Sequence, residues 1–164
     1  DGWLGTSFSP DYADAHLAHI RAGAEAAGRS IQEIELHVAC PVAIGERVEQ
    51  MVEARRYGVA FSMGAMGSRT TNFYNDALQR AGFIDDAKAI QNLWLAGQRD
   101  QAAKRVPDDM VTKYGAIGTP EMVLERFRLY RDVGIASLAL RLDVEDEKEK
   151  IGLLEQIVDL LNHL

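Results

Sequence analysis

Gly118-Thr119-Pro120-Glu121, a helix-like run to Asp132, and then Val133-Gly134-Ile135-Ala136-Ser137-Leu138-Ala139-Leu140-Arg141-Leu142 form the stretch that decides the fold. Thr119 is a good N-cap, Pro120 falls at the first helical position, and Gly134 is placed to end the helix. An apolar run of strand length follows at once, which is the αβ half of a parallel α/β unit. Upstream, Ile34-Glu35-Leu36-His37-Val38-Ala39-Cys40-Pro41-Val42 alternates at first and then turns continuously apolar, as a strand covered on both faces does. Pro41 cannot donate to a ladder, so pairing is expected to fail near it. The opening Asp1-Gly2-Trp3-Leu4 reads as the end of another strand, a remnant over residues 3–8 that leads into a Ser/Pro loop. A chain that begins in mid-strand and holds three strands is expected to be part of a larger barrel, with covers outside itself for the unpaired strand edges.

Helices fill the remainder. Ala13, Leu17, Ile20, Ala24 and Ala27 step by fours and threes along one face, and Gly28 closes that helix. Val48, Met51 and Val52 mark a second, whereas residues 57–67 are glycine-rich and apolar and support no assignment. Short helices are predicted over 73–78, 84–95, 98–105 and 108–114, separated by glycine or proline. Ile151, Leu154, Ile157, Val158, Leu161 and Leu164 give an amphipathic last helix. The reach between the second and third strands far exceeds a usual connection, and in α/β barrels such insertions commonly border the ligand mouth. The expectation is therefore one domain over 1–164, in which a helical insertion of about 58–117 interrupts the α/β units.

Composition narrows the function. At 47% hydrophobic and 26% charged residues the chain is ordinary for a globular protein. Its net charge of −7 disfavours a nucleic-acid partner, which is met by a basic face. There is no apolar run of roughly 20 residues for a bilayer span and no export signal. The single cysteine, Cys40, excludes an internal disulfide and fits a cytoplasmic location.

Several residues carry readable chemistry. Thr6, Ser7 and Ser9 with Gly5 make a polar loop at a strand end, read either as a capped helix entry or as an anion contact. Asp11 and Asp14 weigh against the anion. His16 and His19 are spaced for a shared metal, yet no third ligand follows, so an exposed helix face is expected and no metal. His37 reads as pointing into a packed layer or into the barrel mouth, and Cys40 as a core residue. Arg69, beside Gly64, Gly67 and Ser68, reads as a substrate contact or a helix start; the spacing matches no phosphate fingerprint. Lys113 and Tyr114 precede a loop, 115–118, where ligand contact is also open. Arg141 closes the third strand on the side where barrel sites form, and is equally able to pair with Asp143 or Glu145. Trp3 and Trp94 read as packing residues, with stacking on a coenzyme open for Trp3 only.

Five pieces of this sequence, in order, carry a family resemblance. They are Asp1-Gly2-Trp3; Ala26-Ala27-Gly28-Arg29-Ser30 with Ile34-Glu35-Leu36; Ala81-Gly82-Phe83 with Trp94-Leu95-Ala96-Gly97-Gln98-Arg99-Asp100-Gln101-Ala102-Ala103; Val106-Pro107-Asp108-Asp109-Met110-Val111; and Gly118-Thr119-Pro120-Glu121. Together they resemble the carboxyl-terminal half of the luciferase-like monooxygenases, TIM barrels that use FMN or the deazaflavin coenzyme F420. The third piece is similar to the insertion of the F420-using branch. The resemblance implies a (β/α)8 barrel whose first five strands and part of the sixth are missing here, and hydride transfer between F420 and a small organic substrate. Taken with that resemblance, Gly2, Trp3 and Thr6 are assigned to the coenzyme, and Ser7, Ser9, Arg69 and Lys113, mainly from their own chemistry, to the substrate. In some members a Thr and, three residues later, a Lys hold an anionic group; Thr6 keeps the first, but Ser9 replaces the second, which puts a phosphorylated substrate in doubt. The family's acid/base residues fall in the missing half, so no catalytic residue is assigned.

Three functions follow as expectations: an F420-dependent oxidoreductase, an FMN-dependent monooxygenase of the same family, or a non-catalytic helix-rich binding module. The third is supported by the lack of a complete catalytic constellation. The 164 residues alone are expected to show no turnover and to self-associate, as a homo-oligomer or with the missing barrel half.

Overall fold

The computed structural model describes residues 2–68 and 70–164; Asp1 and Arg69 lie outside the described residues. In chain order its elements are β1 (Gly2–Gly5), α1 (Asp14–Ala26), β2 (Glu35–Ile44), α2 (Val48–Gly64), α3 (Phe73–Arg80), α4 (Ile84–Leu95), α5 (Arg99–Lys104), α6 (Asp109–Thr112), β3 (Ala116–Gly118), α7 (Pro120–Asp132), β4 (Ser137–Leu142) and α8 (Glu147–Leu161). They fall into two compact units, Asp1–Met51 with Thr112–Leu164, and Val52–Val111. Among the described residues no helix is long and apolar enough to cross a membrane.

The first unit is an open parallel α/β sheet, as the order of helix and strand signals predicts. β2 is its centre, and all its pairings are parallel. His37 is in register with both Leu4 and Ser137, so β1 and β4 lie on opposite edges of β2. Val42 is likewise opposite both Ala116 and Leu142, which puts β3 on the β1 edge, end to end with β1.

That arrangement corrects two expectations. Pro41 does not end pairing: β2 runs through it, with Pro41 in register with Arg141. On the other edge β1 stops opposite Val38 and β3 starts opposite Val42. The Pro41 carbonyl faces Gly115, in that gap, so the ladder bond proline cannot make is one the edge does not require. The stretch 115–118, read as a loop, contributes a three-residue strand instead, too short for its periodicity to be visible.

The anticipated αβ signals act as read. Thr119 Oγ1 accepts from the Met122 N–H at 3.4 Å, and Pro120 opens α7. At its end the Gly134 N–H donates to Arg131 O (2.9 Å) and the Ile135 N–H to Tyr130 O (3.1 Å), a closing pattern that delivers the chain to β4. Leu36, Val38, Cys40 and Val42 alternate onto one sheet face, where Leu17 of α1, Val123, Phe127 and Tyr130 of α7 and Ile157 of α8 cover them, with Phe8 filling the middle. Each such buried aliphatic or aromatic group contributes about 1.5–3 kcal/mol. The opposite face carries Leu4, His37, Ala39, Pro41, Ser137, Ala139 and Arg141, with Leu4 74% exposed. His37 is thus not in the packed layer: it bonds Ser137 Oγ through Nδ1 and approaches Glu35 Oε2 at 3.3 Å on the open face.

The second unit is helical. α2 continues through Gly58 to Gly64, across the residues that supported no assignment, because a side chain at 64 is not wanted there: a Cβ would fall 2.2 Å from Trp94 Cβ. Trp94 packs edge-on to Tyr57 and Phe61. Two asparagines fasten the turn after α2. Asn72 Oδ1 caps α3 at the Tyr74 and Asn75 N–H groups while its Nδ2 donates to Met63 O (2.8 Å). Asn75, 1% exposed, donates to Met63 O and Ala87 O and accepts from Gln79 Nε2. Arg56 joins Val106 O and the Asp108 carboxylate, tying α2 to the end of the same unit.

Candidate functional site

Parallel strands send their carboxyl ends the same way, so β2, β3 and β4 end toward one rim of the first unit, while the loop after β1 leaves lower on the same edge, opposite Val38 and beside the start of β3. The Gly45 N–H donates to Gly118 O at 2.9 Å, joining the ends of β2 and β3. In α/β proteins this rim is where ligands are met, because loops there can vary while the strands hold position.

The loop after β1 is built tightly. Ser7 has φ 52, the one described non-glycine residue at positive φ, and Phe8 beyond it is fully buried in the core. A sparsely populated backbone state next to a buried anchor is found where the surroundings dictate the loop's course. Thr6 is exposed at the tip and Ser7 half-buried. Ser9, 1% exposed, donates through Oγ to Asp11 Oδ2 at 3.2 Å.

Asp11 connects this loop to the rest of the rim. Arg126 of α7 donates from Nη1 to Asp11 Oδ2 at 2.5 Å and from Nη2 to the Lys113 carbonyl at 2.6 Å. Lys113 Nζ lies 3.2 Å from the Tyr12 hydroxyl and over the Tyr12 ring, and that ring stacks on Tyr114 at 6.3 Å between centroids. Partial burial raises the Asp11 carboxyl, but the Arg126 hydrogen bond and charge outweigh it, so Asp11 stands below the usual aspartate range. Burial, with Tyr12 and Asp11 nearby, pushes the Tyr114 phenol far up, so it remains a neutral hydroxyl.

The residues singled out from sequence therefore separate. Ser9 and Lys113 enter one network; Ser7 and Thr6 lie on the same loop. Gly2 lies on the open face, where a Cβ would meet Glu35 O at 3.0 Å and His37 Cδ2 at 3.7 Å. Trp3 turns to the helix side, packing on Phe8 at 6.0 Å and on His16 at 5.9 Å. His16 is accordingly half-buried between aromatics and not on an exposed face. Arg69 lies outside the described residues. Among the described residues no group of three or more His, Cys, Asp or Glu is placed to hold a metal. Cys40 is buried, and burial raises its thiol to about 11. Sequence reading missed Arg126 altogether and took Asp11 for a repelling charge. A lone arginine in a helix carries no local signal, and its partner is 115 residues away.

A deazaflavin needs a flat apolar support and polar groups for its anionic tail. The small side chains of Ala39, Pro41 and Ala139 make a low stretch of the open face, and Thr6 supplies an exposed hydroxyl just beyond the end of β1. These residues fit such a coenzyme.

The sequence profile described as luciferase-like monooxygenase matches residues 1–137. A Mycobacterium tuberculosis protein provisionally named a coenzyme F420-dependent oxidoreductase is 25% identical over 162 residues, 98% of this chain and 44% of the relative. The 5,10-methylenetetrahydromethanopterin reductase of Methanopyrus kandleri is 28% identical over 152 residues, 92% of this chain and 41% of the relative. The solved structure of the coenzyme F420-dependent tetrahydromethanopterin reductase from Methanopyrus kandleri superposes with a TM-score of 0.67 at 24% identity, over 93% of this chain and 43% of that one. The chain thus spans less than half the length of the curated relatives it matches.

Proposed function

The chain belongs to the luciferase-like monooxygenase family, and from that premise we propose that it forms the carboxyl-terminal part of a (β/α)8-barrel oxidoreductase that moves a hydride between coenzyme F420 and a small organic substrate. What supports this most is similarity over nearly the whole chain to relatives named for F420. The open sheet face and the exposed stripe of Ile151, Leu154, Val158 and Leu161 on α8 are then surfaces that earlier barrel strands and helices cover. On this reading the expected helical insertion of about 58–117 corresponds largely to the compact unit Val52–Val111.

When bound, F420 supplies the carbon that takes up or releases the hydride; the protein binds, orients and keeps out water. Gly2 leaves room at the sheet face, and Thr6 takes a polar edge or tail oxygen of the coenzyme. Trp3 acts from behind, holding Gly5 and Phe8 so that the loop leaves β1 in one direction. Ser7, Lys113 and Arg69 are assigned to the substrate side, with the Lys113 cation suited to a carboxylate or an enolate-like oxygen; Ser9, expected there from the sequence, is buried and bonded to Asp11 and holds the loop instead. No acid/base residue is assigned within these residues.

A second reading rests on the description of the matching profile, which names a monooxygenase. FMN would then be the coenzyme and dioxygen a co-substrate. Full-length protein given reduced FMN or reduced F420, with an oxygen electrode, separates the two: oxygen uptake coupled to substrate with FMN alone would establish the monooxygenase and overturn the F420 proposal.

A further inference from the structure

The geometry points to Arg126 as a positioning residue for the coenzyme rim: from α7 it fixes the loop after β1 and the segment before β3 to each other. This inference rests on the F420 reading above and concerns how that site is held. One guanidinium spans both segments, through Asp11 Oδ2 at 2.5 Å and the Lys113 carbonyl at 2.6 Å. Each segment carries further bonds, and the Lys113–Tyr12 contact is a second link between them. From Asp11 the chain of bonds runs to Ser9 Oγ, two residues after the positive-φ Ser7. From Lys113 it runs to the Tyr12 hydroxyl and the Tyr12–Tyr114 stack. The two segments have no strand pairing with each other, because the β1 edge of β2 is empty between Val38 and Val42. Arg126 is itself 13% exposed in its side chain, and its Nε is buried without a hydrogen-bond partner. A buried unbonded donor is costly, so the residue is better explained by the geometry it imposes than by stability alone.

The test uses the full-length protein and five variants: Arg126→Met, Arg126→Lys, Asp11→Asn, the Arg126→Met, Asp11→Asn double variant, and Arg128→Met as a control on the same helix. Three readouts are taken: the unfolding midpoint, F420 affinity by quenching of its fluorescence, and amide exchange in residues 6–12 and 113–115. In folded Asp11→Asn we expect about tenfold weaker F420 binding and faster exchange in both segments, with Arg128→Met unchanged. The double variant should be no worse than the weaker single variant, since both remove one tie. Arg126→Lys should restore part of the binding. Should Arg126→Met fail to fold, Asp11→Asn alone decides. Unchanged exchange in both segments, or additive losses in the double variant, would overturn the clamp. If wild-type protein does not bind F420 while exchange still accelerates, the coenzyme reading fails and the clamp stands.

Discussion

The Trp3 indole lies over Gly5, two residues along the same strand face, so that a Cβ built on Gly5 would fall 2.2 Å from Trp3 Cη2. Glycine at the end of β1 is therefore a packing requirement. Gly5→Ala must push the indole off Phe8 and His16, at about 1–3 kcal/mol by the usual cost of overfilling a packed site. Thermal unfolding should show the loss, and a Trp3→Leu, Gly5→Ala double variant should recover part of it. Equal stability of Gly5→Ala and wild type would mean that the indole is not held there.

Asn75 offers a matching test in the helical unit. Its amide is buried and bonded to Met63 O at 3.2 Å, Ala87 O at 2.9 Å and Gln79 Nε2 at 2.7 Å. Asn75→Ala should cost about 1–3 kcal/mol, since it strips partners from buried polar groups. Asn75→Asp should cost more at neutral pH, because it sets a carboxylate oxygen against two carbonyls. Denaturant titration reads both; a neutral Asp variant would contradict the assigned amide orientation.

These two sites differ in how far they could be foreseen. Thr119, Pro120 and Gly134 announce α7 and β4 because capping and chain reversal are local, and the parallel order followed from them. The α2 continuation through Gly64 was hidden, since the reason for that glycine is Trp94, thirty residues on. Pro41 misled because a ladder's need for an N–H depends on which strand lies opposite, and that is settled only when β1 and β3 divide one edge. At the rim, the hydroxyls after β1 were legible as types, but Arg126 and the neutralised Asp11 were not, because their pairing is tertiary. For His37 the sequence offered a packed layer or the barrel mouth, and its alternation with Leu36 and Val38 puts it on the face away from the helices.

Cys40 gives a pH-dependent outcome. Burial raises its folded thiol to about 11, above the ordinary value of about 8.5. The folded state therefore holds its proton where the unfolded state has lost it. The associated stability is whole below the unfolded value and is lost as pH climbs from there through about 11. Alkylation of native protein at pH 8 should be on the order of a hundredfold slower than in denaturant. Equal rates would show the thiol to be accessible.

The most direct test of the F420 assignment is a pair of equilibrium titrations of the full-length protein, one with F420 and one with FMN. Saturable quenching of deazaflavin fluorescence, weakened by substitution of Thr6, with FMN bound far less tightly, is the expected result. Tight FMN binding with no response to F420 would contradict it.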